Sequence, residues 1–137
     1  MDGDPEFSYD IFPEHALAYA VMRGQLSGQD MLHVVQTVHQ DARWRHHFDA
    51  VWDCSRVEAH IVLPGDITPI IDETVEGETG RDVLVESPTV AGALIAELLA
   101  VRSRVRGKRV QAANTLEEAC GVLGLDTVPD ALARLAA

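Results

Sequence analysis

Two stretches of this chain restrict what it can fold into more than any others. Phe48–Asp53 is short, apolar and rich in strand formers. Arg81–Glu118 then reads strand, long helix, strand, capped helix. Short apolar strands separated by segments of helix length close as parallel neighbours, with the helix crossing one face of the sheet. Such crossovers are right-handed.

The remaining segments extend this pattern. Tyr9–Phe12 and Ala18–Leu26 read as two strands joined by a turn at Pro13-Glu14-His15, an antiparallel hairpin. Ser27 caps the helix that follows, with Asp30 placed to reach back to it. Met31, Val35, Val38 and Ala42 recur at helical spacing and form one apolar stripe. Pro64-Gly65 punctuates the next stretch, where Asp66–Val75 reads as a short helix capped by Asp66 and Glu76–Gly80 as a loop. Val83-Leu84-Val85 is a second buried strand. Ser87-Pro88 reads as a helix start, with Ser87 as the cap. Val90, Leu94, Leu98, Val101 and Val105 line one face of that helix, widened by Ala91 and Ile95, and Gly107 stops it. Arg109–Ala113 is a further strand. Thr115 to Glu118 form a capping box, Gly124 ends that helix, and Val128–Ala136 is a final short one. The fold class is therefore α/β, a small mixed, mostly parallel sheet flanked by helices in the order β-β-α-β-α-β-α-β-α.

The chain has 137 residues, enough for one domain, and 47% hydrophobic residues, enough for a core at that size. Residues 1–7, with Asp4-Pro5-Glu6-Phe7, read as a vector-derived leader or disordered N-terminus, 8–125 as the domain and 126–137 as a helical tail. No apolar run approaches the roughly 20 residues of a membrane span. No signal segment opens the chain. Cys54 and Cys120 lie far apart, without the spacing of a metal or redox motif, which suits buried thiols in a reducing cytoplasm. The net charge of -11 disfavours nucleic acid and anionic membranes. Five of the eleven basic residues fall at Arg102, Arg104, Arg106, Lys108 and Arg109. Their place at a helix C-terminus is favourable in itself, and it also offers a docking patch for an acidic partner. Asp72, Glu73, Glu76, Glu78 and Asp82 read as a solvated loop, or as the match for that basic cluster on a second subunit of a homodimer.

With Ser27-Gly28 before the first helix, Val51-Trp52-Asp53 on the central strand, Arg56 nearby and Ala113-Asn114-Thr115-Leu116-Glu117-Glu118-Ala119 near the end, the chain resembles the STAS group. The closer likeness is to its SpoIIAA-like branch, over about residues 8–125. The resemblance implies a regulatory or binding module of a bacterial cytoplasmic pathway, acting through a protein partner. It also implies an alternative, a carrier of a small apolar ligand or lipid. Members with a phosphorylated serine carry Asp-Ser-Ser-Gly at the start of their second helix. Here that stretch reads Leu63-Pro64-Gly65-Asp66-Ile67-Thr68, with Thr68 as its only hydroxyl and the motif absent.

Candidate binding residues follow from position. Asp53, Ser55 and Arg56 sit at the end of a central strand, where open α/β sheets bind ligands. Ser87 and Thr89 belong at the matching end of the next strand, beside a helix N-terminus suited to an anion. Asp66 and Thr68 complete the set. Capping of local backbone accounts for the same residue types. His33, His39, His46 and His47 lack metal-ligand spacing. A nucleophilic enzyme would use Ser55 or Cys54 with His60 and an aspartate, but no Gly-x-Ser-x-Gly elbow is present. The expectation is a non-catalytic protein with no cofactor and no metal.

Overall fold

The computed structural model describes residues 6–77 and 80–137. Most of the stretch read as a foreign leader, and Glu78 and Thr79 of the expected loop, lie outside the described residues. Two strands, β1 (Glu6–Phe12) and β2 (Leu17–Ser27), are joined by a 3-10 turn at Pro13–His15. There follow α1 (Gly28–His39), β3 (Asp49–Ile61), α2 (Pro64–Gly77), β4 (Asp82–Val85), α3 (Val90–Val105), β5 (Val110–Ala113), α4 (Leu116–Val122) and α5 (Asp130–Ala136). The five strands lie side by side in chain order, β1-β2-β3-β4-β5. Only the β1–β2 pair is antiparallel. The mixed, mostly parallel α/β sheet expected from the sequence is the observed one.

Strand alternation divides the core between the two faces of the sheet. Ala18, Ala20 and Met22 of β2 face α1, α2 and α3, together with Trp52 and Cys54 of β3. Leu17, Tyr19 and Val21 face α4 and α5, together with Val51 and Val83. Covered on both sides, β4 is buried along its whole length.

Some local signals act as read. The Ser27 hydroxyl accepts the Asp30 N–H at 3.0 Å, and Asp30 Oδ2 accepts the Ser27 N–H at 3.0 Å, so the capping box is complete. The helix read as Asp66–Val75 runs instead from Pro64 to Gly77, so Asp66 is not its cap but lies in its first turn and reaches back to accept the Leu63 N–H at 2.8 Å. Other elements differ. β1 begins at Glu6, so Glu6 and Phe7 pair with Arg23 and Met22 as part of the sheet. α1 ends at His39, leaving Ala42 exposed beyond it. β3 runs on through Asp53 to Ile61, held by β2 alone after β4 ends opposite Asp53. Two register shifts, opposite Val21–Arg23 and Gly24–Gln25 of β2, each take up one extra residue of β3, with Gly24 in its left-handed conformation between them.

The apolar stripe of α3, Val90, Leu94, Leu98, Val101 and Val105, faces outward. The buried side is Gly92, Ala96, Leu99, Ala100 and Ser103. Small side chains let the helix axis approach the sheet closely, and a Cβ at Gly92 would overlap the Ser87 hydroxyl. Two apolar faces exist on this helix, and periodicity alone does not choose between them. The cap is Thr89, whose hydroxyl accepts the Gly92 N–H at 2.9 Å, in place of Ser87.

The acidic stretch is also no solvated loop. Asp72 pairs with Arg106 at 2.7 Å and Glu73 with His39 at 3.0 Å, both within the chain. Asp82 and Lys108 form a buried pair at 3.3 Å. Lys108 Nζ also donates to the Gly80 carbonyl at 2.6 Å, and Trp52 Nε1 donates to Asp82 Oδ1 at 2.8 Å. The Glu76 side chain is outside what is described. Among the described residues no helix is long and apolar enough to cross a membrane.

Candidate functional site

The structure distributes the sequence candidates over three places and gives each a local partner. Asp53 lies inside β3, with its side chain on the α4–α5 face. Tyr19 Oη donates to Asp53 Oδ2 at 2.5 Å, and the Ser55 N–H donates to Oδ1 at 2.9 Å. Burial first, and then the bond to Asp53 and its charge, raise the Tyr19 pKa well above the usual phenol value, so the hydroxyl stays a donor. Asp53, Ser55 and Arg56 line a shallow groove with Leu116, Glu117 and Ala136. The groove is closed at one end by α5. Arg56 donates to the Ala136 carbonyl at 2.9 Å, and Arg23 donates to the carbonyls of Leu135 at 3.2 Å and Ala137 at 3.1 Å. These two guanidiniums satisfy the last carbonyls of a helix, where positive charge is favoured.

Ser87 and Thr89 occupy a different place, the start of α3. His60 Nε2 lies 3.1 Å from Ser87 Oγ, which lies 3.0 Å from Thr89 Oγ1. This chain of polar side chains fastens the far end of β3 to the cap of α3. His60, a sequence candidate to serve Ser55 or Cys54, meets Ser87 instead. Burial lowers the His60 pKa, so the ring is held neutral. Its Nδ1 is buried with no hydrogen-bond partner among the described residues. A histidine acting as general base needs a group to orient its second nitrogen, and none of the described residues does so. Cys54 is buried and its thiol is pushed up to about 12 by burial first and by the neighbouring Asp53 charge second, which suppresses the nucleophilic thiolate.

Asp66 and Thr68 are at the third place. Asp66 packs against Gly28, where a Cβ would overlap it, so its role is to seat α2 on α1. Thr68 is exposed beside a shallow groove with Ile71, Arg102, Val105 and Arg106. The groove at Asp53 shares no lining residue with this one. The candidates therefore do not converge on one pocket. The histidines do not converge either: His33 meets Phe7, His47 meets Phe48, and His39 stacks on Trp44. Among the described residues no group of three His, Cys, Asp or Glu side chains is placed to hold a metal.

An apolar cavity does lie beneath α2, lined by Met22, Met31, Trp52, Ile71, Leu84 and Leu99 among others. Its free volume of about 40 Å³ suits a water or a methyl group. Ligand pockets for drug-sized molecules run to several hundred Å³.

The feature that the candidate list missed is the outward face of α3. Exposure there runs from 38% at Leu98 to 83% at Val105, on five large aliphatic side chains aligned along one helix. Ile61 and Leu63, between the end of β3 and the start of α2, are exposed as well. The His60–Ser87 bond fastens that end of β3 to the start of α3. The sequence does carry a signal for it: α3 has two opposite apolar faces, with Glu97, Arg102 and Arg104 between them, whereas a helix with one buried face has a polar side.

No family model matches the chain. No curated protein matches it. Among solved structures, that of the anti-sigma factor antagonist SpoIIAA in its unphosphorylated form is similar, with 14% sequence identity and a TM-score of 0.47. The similarity covers 87% of this chain and 98% of that one.

Proposed function

We propose that this chain is a non-catalytic binding module of a bacterial cytoplasmic pathway, working through a protein partner that docks on the outward face of α3. The exposed stripe Val90, Leu94, Leu98, Val101 and Val105 carries the reading. Single exposed aliphatic residues are ordinary, but a contiguous apolar strip along a whole helix marks an interaction surface. A 16-residue helix with such a strip is the form that fits a groove or a second helix. The sequence resemblance to the STAS group supports the same class of function. Against catalysis stand the high Cys54 pKa and the buried position of Ser87, whose hydroxyl is engaged in fastening α3.

Photo-crosslinking in the source cells tests the reading. A benzophenone amino acid at Leu94 or Leu98 is expected to give a discrete protein adduct that is lost when Val101→Glu is added. The same probe at Glu14, on the turn between β1 and β2, is expected to give none. Equal adducts at Glu14, or none at α3, would overturn the assignment.

The second reading is a carrier of a small apolar ligand, favoured by the apolar cavity beneath α2. It requires α2 and α3 to move apart, since about 40 Å³ is available between them and the sheet. Native mass spectrometry of the protein from its source would detect a bound ligand. A mass equal to that of the chain alone sinks the carrier.

A further inference from the structure

Resting on that reading of α3, we infer that the partner covering its outward face is a second copy of this chain, with the two α3 helices antiparallel. Spacing and charge both point to it. Ala91, Leu94, Leu98, Val101 and Val105 follow one another at three, four, three and four residues, the alternation of a helix–helix seam. Antiparallel pairing about a two-fold axis between residues 98 and 101 sets Leu98 against the partner's Val101, and Leu94 against the partner's Val105. The layers formed by Leu94, Leu98, Val101 and Val105 are then aliphatic on both sides.

The flanks select this direction. Glu97 and Arg104 are seven residues apart, two turns of helix, and both are exposed on one edge of the stripe. In the antiparallel pair that edge faces itself, and Glu97 comes opposite the partner's Arg104. The two-fold axis produces this ion pair twice. On the other edge Arg102 would lie over the partner's Ile95, its aliphatic stem covering apolar surface while its head stays in water. A parallel pair would set Glu97 beside the partner's Arg102 instead and leave Arg104 without this ion pair, and parallel helix dipoles oppose one another. The two helices overlap over residues 94–105, about 18 Å at 1.5 Å per residue. That is a small interface, so the dimer forms and dissociates over micromolar concentrations.

Sedimentation velocity of the purified chain across a micromolar concentration series tests this. The expected result is a reversible monomer–dimer equilibrium. Leu98→Glu is expected to raise its dissociation constant by about tenfold or more. Its side chain is already partly exposed, and circular dichroism will confirm that the fold is kept. Glu97→Arg and Arg104→Glu are each expected to weaken the dimer, and the two together to restore it, which only the antiparallel register allows. A dimer insensitive to Leu98→Glu, or a double reversal no better than the single ones, overturns the inference. A monomer at all concentrations overturns it too. In that case an α3 adduct in cells containing a different protein leaves the binding-module reading standing, and the lack of any adduct removes both.

Discussion

At the scale of single residues, the buried Asp82–Lys108 pair has the most energy at stake. Both side chains are almost fully enclosed, and the pair is supported by the Trp52 indole and the Gly80 carbonyl. Removing one charge of such a pair costs far more than the pair contributes net. Asp82→Asn, which keeps an acceptor for Trp52, is expected to lower stability by about 3–5 kcal/mol in urea unfolding. Replacing both by apolar residues should cost less than either single change. His60 makes a pH-dependent contribution. Its native pKa is lowered by burial, so below about pH 6.5 the unfolded state takes up a proton that the native state resists. Stability is expected to fall as the solution is acidified through that range, and His60→Gln should flatten the fall in a series of urea midpoints. Neither role was legible in the sequence. Asp82 reads as one more surface acid and Lys108 as one more base of a cluster, because their meeting depends on β4 and β5 lying side by side.

At the scale of elements, what is local was readable and what depends on a neighbour was not. The Ser27–Asp30 capping box is complete within four residues, and both its bonds form as read. Ser27→Ala is expected to cost about 1 kcal/mol. The far half of β3 was missed because Ser55, Arg56, Glu58 and His60 interrupt its apolar pattern, and only pairing with β2 makes it a strand. For α3 the apolar stripe was legible, but not which way it faces. The small face is what the sheet accepts. Gly92→Ala measures that closeness: in an open helix the change gains up to about 1 kcal/mol. Here it is expected to lose about 1–3 kcal/mol by overpacking against Ser87. The candidate site suffered for the same reason. Asp53 and Arg56 were read at a strand end, whereas Asp53 is engaged by Tyr19 and Arg56 by the end of α5, two partners distant in sequence.

At the scale of the whole molecule, two layers of helices enclose one sheet, and they are held differently. The α1–α3 layer is joined by large apolar contacts. The α5 helix, seven residues long, is tied at its end by Arg23 and Arg56 as well as by Leu132. Arg23→Gln with Arg56→Gln is therefore expected to speed hydrogen exchange in residues 130–137 while leaving α1 and α2 unchanged. The order of strands has another consequence. Every strand of this sheet lies beside the one made immediately before it. As the chain leaves the ribosome, each new strand finds its neighbour already in place. Loop closures stay short for a mostly parallel sheet, and the chain can assemble from its first hairpin onward without waiting for its end.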